Sequence, residues 1–449
     1  MAWKSRPISV VLDDVFAALS ERSEDIVWLD SALGDPTLGQ RSLLALELAP
    51  WFSLPAPGPV AAAHEGPWSP LWEALDARLE DYRRRNEGVP TGIVGYIAYE
   101  AGYLADRAMP IPERFAPVPL MHFVEVRVGL IATSAGVELV VCADSREACE
   151  ALLDEWTDRL LAVRTAPEPT LPAFELLRDE DEARHKRRVE ETLEAIVSGR
   201  IYQGCMTYPL RFSRPKHMSE LFRSLRRRAP ADFCAFLRVG DLELASTSPE
   251  RFFEIDEDRW ITARPMKGTR RRSPDLDAEA EAALRQELHT SPKDRAENVM
   301  IVDLMRNDIG RVAAVNSIHV PELYEVEVYA NVLQMTSTVR GRLEPSVGPF
   351  QAARALFPPG SMTGAPKLEA CAVIQELEAG PRGVYSGAIA WIDGDGRSTF
   401  SVVIRALQAW ADVATWNVGG GVVWGSNPEG EWDETRAKAA TILGALPQK

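Results

Sequence analysis

The 449-residue chain is long enough for two or three average domains or one large one, and 46% hydrophobic with 26% charged residues suits a sizeable packed core. A formal net charge of -16 leaves no basic face to neutralise phosphates, which argues against a nucleic-acid partner. Five cysteines without a Cys-x-x-Cys pair point to reduced thiols in a cytoplasmic protein, and no apolar run is long enough to span a membrane.

In chain order, Asp25 to Ser31 reads as a strand running into a turn, and Leu71 to Arg85 as a helix with Trp72, Leu75, Leu79 and Tyr82 at helical spacing. Gly92 to Tyr99 has strand composition, and Thr133 to Gly136 is a hairpin signal between Phe123–Ile131 and Val137–Cys142. Glu147 to Arg164 is helical in pattern. The segment Thr165 to Pro172 holds three prolines and cannot continue a helix, so it marks the internal boundary. Beyond it a charged helix runs from about Asp179 to Ser198 and stops at Gly199.

The run Asp294 to Gly310 is the sequence's most unusual helix. It follows Ser291-Pro292, and the unbroken apolar stretch Val299 to Val302 predicts burial, although Glu297, Asp303, Arg306 and Asp308 lie on it. Buried charges must be paired or bind something charged. Asp303 can meet Arg306 one turn on, whereas Glu297 has only Lys293 within a turn and must be neutralised from elsewhere or ligate a metal.

Five further clusters could carry chemistry. Gly419-Gly-Gly allows close backbone approach to a ligand, and the following helix, capped by Ser426 or Asn427, carries Glu431, Glu434 and Lys438 on one face. Those carboxylates suit a divalent cation, or form a solvated face with an ordinary Glu434–Lys438 pair. Phe357 to Lys367 lacks the phosphate-loop spacing; it fits a carboxylate-receiving helix start or simple capping. Lys267, between Met266 and Gly268, is either a desolvated nucleophile or an ordinary exposed lysine. Glu250 adjoins Arg251, for which a surface ion pair is the plain reading; Arg270-Arg-Arg272 suits a small anion or a solvated loop. None of the six histidines belongs to a metal-spaced pair.

Together, Ile201-Tyr-Gln203, Ser248-Pro-Glu-Arg-Phe252, Pro265 to Arg270, Asp294 to Asp308, Ser337-Thr-Val339, Gly360 to Lys367, Gly383 to Ile389, Val403-Ile-Arg405 and Gly419 to Lys438 resemble the chorismate-utilising enzymes in motif and order. The match covers about residues 176–445, and Leu29-Asp-Ser-Ala32 extends it weakly. The resemblance implies an α+β fold with β-sheets flanked by helices. It implies an N-terminal region over 1–164, a Pro-rich linker over 165–175 and a chorismate-binding catalytic domain over 176–449. It further implies that Glu297, Glu431 and Glu434 hold a Mg2+ that neutralises the ring carboxylate of chorismate. Tyr385, Arg405 and Lys438, with the amides around Gly419 and Gly421, would receive the enolpyruvyl carboxylate, and Thr363 would border the ring.

Within the family, Lys267 and Gln203 together resemble the aminodeoxychorismate synthase type; anthranilate synthases place alanine at the former position, and isochorismate and salicylate synthases a lysine at the latter. The resemblance then makes Lys267 the nucleophile and Glu250 the general acid, with ammonia as co-substrate. Because the chain shows no Gly-x-Cys-x-Gly nucleophile turn, a separate glutamine amidotransferase subunit, or free ammonia, is the expected nitrogen source. Anthranilate formation is the nearest alternative, and a non-catalytic binding protein the alternative of another class. The chain departs from the family's pattern at Cys205, at Gln334 and in Thr269-Arg-Arg-Arg-Ser273.

Overall fold

The computed structural model describes residues 2–32, 41–56, 69–106, 108–109, 114–272, 277–328 and 332–446. Ser273, at the end of the unusual arginine run, lies outside them. Among the described residues, twenty strands join into one connected network, and every pairing between strands is antiparallel.

Period-2 patterning explains how that network layers. Strand Ile93–Ile97 sends Ile93 and Ile97 into one hydrophobic cluster and Val94 and Tyr96 into another. Strand Ile26–Asp30 likewise sends Val27 to the cluster holding Val94, and Ile26 and Trp28 to a third. Strands buried on both faces are apolar throughout, and here their inner faces pack against one another as in a sheet-on-sheet core. Helices cover the outside. Ser69–Arg85, Pro292–Gly310 and Pro349–Leu356 close the first cluster; Leu12–Leu19, Arg146–Leu161 and Met218–Arg228 close the third. Phe16 and Trp28 meet there with ring centroids 4.9 Å apart. Each fully buried side chain of that size contributes roughly 2–3 kcal/mol.

The proline-rich stretch carries neither helix nor strand over 163–175. The sequences on its two sides nonetheless share the network, since Ile26–Asp30 pairs with Phe233–Val239 and Ile93–Ile97 with Ala388–Ile392. The predicted hairpin forms between Met121–Thr133 and Gly136–Ala143. The charged helix spans Glu182–Val197 and is capped by Asp181, whose carboxylate accepts the Arg184 amide at 2.8 Å. No helix of the described chain is long and apolar enough to cross a membrane.

One expectation is corrected. Helix Pro292–Gly310 is buried on one face only: Asn298, Ile301, Val302, Met305 and Ile309 are inside, whereas Asp303, Arg306 and Asn307 face solvent. The apolar run packs inward on a single side, so Asp303 needs no buried partner and simply meets Arg306 at 3.3 Å. The charges that are buried do have partners. Asp294 receives Arg270 at 2.9 Å, and Asp308 receives Lys367 at 2.6 Å.

Candidate active site

The longest straight ladder beside the site joins strand Gln203–Ser213 to strand Val413–Val423, opposing Gly419 to Thr207 and Gly421 to Cys205. A Cβ on Gly419 would lie 2.2 Å from the Met206 carbonyl oxygen, so the close approach there requires glycine. Helix Pro428–Leu443 then folds back onto this strand. Asn427 caps it, accepting the Gly430 amide at 2.8 Å, and the Ser426 hydroxyl donates to Glu431 at 2.6 Å.

A cavity of about 150 Å3 opens beside the glycines, and Glu250, Lys267, Tyr385, Arg405, Gly419, Gly421 and Lys438 all line it. Seven positions singled out in the sequence, drawn from five separate stretches, therefore converge on one space. Lys267 reaches it because strand Met266–Arg271 slips register against Val332–Arg342 between Met266 and Thr269. Such a bulge turns a side chain out of the ladder. Gly268 in the bulge has φ +88 and lies against Asp294 of the neighbouring helix. Gly421 marks the far side: a Cβ there would sit 3.5 Å from Lys267 Nζ and 2.9 Å from Gln203 Nε2. Gln203 Oε1 is buried without a hydrogen-bond partner among the described residues. That is a costly arrangement unless a ligand supplies a donor.

The cavity wall is strongly charged. Burial pushes the Glu250 carboxyl above its ordinary value, while a hydrogen bond with Ser361 and the Lys267, Arg405 and Lys438 charges act in the opposite direction. Glu250 forms no pair with Arg251, which is itself buried and bridges to Glu254. Arg405 opens into the cavity, where its side chain remains exposed; the surrounding protein opposes its charge and Glu250 favours it. Its backbone has φ +50, an uncommon conformation for a residue with a side chain, held by the Thr247 amide on its carbonyl at 3.1 Å. Burial likewise drives the Tyr385 hydroxyl far above its ordinary value, so it acts as a neutral donor.

Glu431 and Glu434 flank the other side of the glycines. A Cβ on Gly420 would lie 2.6 Å from Glu431 Oε2 and 3.7 Å from Glu434 Oε1. Burial raises Glu431, and the Glu434 charge raises it further; Glu297 is raised by burial too, with Glu434 again contributing. Burial also acts to raise Glu434, but the Lys438 ammonium, 2.7 Å away, outweighs it. Glu431 Oε2 is buried and has no hydrogen-bond partner among the described residues. These hard oxygen donors, one of them orphaned, fit a divalent cation. Among the described residues no group of three or more such ligands is already gathered. Part of the coordination would come from other oxygens.

Thr363 is not brought to the cavity. It is fully buried, and its hydroxyl donates to the Pro359 and Gly360 carbonyls at 3.2 and 3.3 Å. Ser361 and Met362 line the space instead. Lys367 is engaged with Asp308 and the Leu356 carbonyl, so this loop offers no cation to a phosphate. Arg270 and Arg272 form structural pairs with Glu287, Asp294 and Glu281 rather than an anion site.

Residues 54–444 match the family model of chorismate binding enzymes, and the chain belongs to that family. It is 36% identical over 471 residues to an aminodeoxychorismate synthase of Streptomyces pristinaespiralis, covering 97% of this chain and 64% of that relative. Thus it spans just under two thirds of that protein's length. It is also 43% identical over 249 residues to aminodeoxychorismate synthase component 1 of Salmonella typhimurium, covering 56% and 54% of the two chains. Among solved structures, anthranilate synthase component I of Streptococcus pneumoniae superposes with a TM-score of 0.75 at 27% identity, covering 90% of this chain and 92% of that one.

Proposed function

We propose that the chain aminates chorismate at C4, yielding 4-amino-4-deoxychorismate on the way to 4-aminobenzoate and folate. The observation that carries this reading is the meeting of Lys267 and Glu250 in one cavity, with the Gln203 amide beside Gly421 at its edge. The names of the relatives above support it.

Lys267 must first give up its ammonium proton; its amine then adds to C2 of chorismate while the ring double bonds shift and the C4 hydroxyl departs. Glu250, whose carboxyl burial shifts toward the protonated form, donates the proton that lets that oxygen leave as water. Ammonia then adds at C4, the double bonds return, and Lys267 is released from C2. Arg405 grips the enolpyruvyl carboxylate as a fork, with Tyr385 and Lys438 as further donors. Glu297, Glu431 and Glu434 would hold Mg2+, which supplies positive charge to a ring carboxylate otherwise facing carboxylates. Ammonia would come from a glutamine amidotransferase subunit, and the component naming of the Salmonella relative favours such a partner.

Replacing Lys267 by alanine tests the assignment. Loss of the 4-amino product with chorismate binding retained is expected. Unchanged turnover would remove the covalent role and favour the anthranilate-type alternative.

A further inference from the structure

We infer that Asn417 is the ammonia-binding residue of this site: its side-chain amide, on the same strand face as Gly419 and Gly421, accepts an N–H of the incoming nitrogen nucleophile. The inference rests on the amination proposed above.

Asn417 lines the cavity together with Glu250, Lys267, Arg405 and Lys438. Side chains alternate along strand Val413–Val423, so Asn417 projects on the side that the bare Gly419 and Gly421 leave open. It is 4% exposed, and its Oδ1 has no hydrogen-bond partner among the described residues. Across the ladder, Thr207 opposes Gly419 and so shares that face. Its hydroxyl is buried and likewise without a partner among the described residues. Two orphaned acceptors thus flank one glycine. A buried acceptor without a donor is costly, so the pair suits a small ligand that brings hydrogens.

Chorismate brings two carboxylates, which are acceptors themselves and go to the cations. Its C4 hydroxyl must face Glu250 to be protonated. Ammonia remains, with N–H donors on one side and a lone pair on the other. The neutrality of the amide is what suits it. A carboxylate at this place would hold ammonium, whose lone pair is taken up by a proton. A neutral amide keeps the free base, and the Arg405 and Lys438 charges on the same wall oppose the cation. With an N–H given to Asn417, the lone pair forms the bond to C4 while the bond from C2 to Lys267 breaks and releases the amine. The Glu250 carboxylate, having protonated the departing oxygen, takes the surplus proton from the new nitrogen.

The test titrates ammonium chloride against the full chain and its Asn417→Leu and Asn417→Thr variants, with chorismate and Mg2+ saturating at mildly alkaline pH. In the leucine variant, KM for ammonium should rise roughly 5- to 10-fold, the value of one neutral hydrogen bond, with KM for chorismate within about twofold of the parent. Threonine keeps an acceptor and should restore most of the loss. A packing role alone would not single out ammonium. An unchanged KM for ammonium, or an equal rise in KM for chorismate, would overturn the inference. A second readout needs no turnover. The Asn417 side-chain amide signal in nitrogen-15 spectra, identified by its absence from both variants, should shift saturably with ammonium chloride and not with sodium chloride at equal ionic strength. No shift refutes the site. If the signal shifts while the parent chain makes no amino product from chorismate, the proposed function fails and the ammonia site stands.

Discussion

The Lys438 ammonium donates to Glu434 at 2.7 Å and, from the same nitrogen, to the Gly419 carbonyl at 2.8 Å. A group assigned to the substrate's carboxylate and a group assigned to a cation are thus each other's counter-ion, one helical turn apart. A divalent cation must compete with Lys438 for Glu434. Lys438→Met should therefore move two constants in opposite directions. KM for chorismate should rise by roughly 10- to 100-fold, the value of a hydrogen bond to a charged group. The Mg2+ concentration for half-maximal rate should fall. Steady-state titrations of each ligand check this, and a rise in both constants would contradict the competition.

The adjacent glycines separate stability from binding. Gly419→Ala would drive a Cβ into the Met206 backbone, which cannot yield, so the variant should lose about 1–3 kcal/mol of stability in denaturant unfolding. Gly420→Ala meets only carboxylate ends, Glu431 closely and Glu434 at ordinary contact distance. The Glu431 carboxylate can swing aside, so unfolding should be little altered while the Mg2+ requirement increases. Equal stability losses in the two variants would show that Gly420 is also a packing glycine.

Glu100 sets a pH dependence of stability. It is buried beneath Arg382 and Gly383, whose amides donate to it, and burial raises its carboxyl to about 7 from an ordinary 4.5. A raised folded value means that the folded state binds this proton more tightly. Its contribution is complete below pH about 4.5 and is lost as pH climbs through about 7, a change of roughly 3 kcal/mol. Glu100→Gln should remove that slope, so its unfolding free energy should gain on the parent as pH rises from 5 toward 8 (roughly, by the same linkage). Parallel curves would mean that Glu100 stays charged in the fold.

Much of the site was legible because spacing alone encodes it. Glu431, Glu434 and Lys438 share a helix face by their separation, and the three glycines before them announce close backbone approach. The motif order brought Glu250, Lys267, Tyr385 and Arg405 into one proposal, and the cavity unites them. Other features were set by long-range contacts. Helix Pro292–Gly310 was expected to be covered all round, but a local apolar run cannot say which sides neighbours will occupy. Thr363 and Ser361 are both hydroxyls in one short segment. Which of them faces the cavity depends on Arg382, Cys205 and Leu304, all distant in sequence. The Lys367–Asp308 pair, which takes the loop's lysine out of play, is equally non-local.

The most direct test is to incubate the purified chain with chorismate, Mg2+ and a high concentration of ammonium at mildly alkaline pH, then identify the products by mass and chromatography. The expected product is 4-amino-4-deoxychorismate, lost when EDTA replaces Mg2+ and lost in Lys267→Ala. Anthranilate or isochorismate as the product, or an amino product that persists without Lys267, would contradict it.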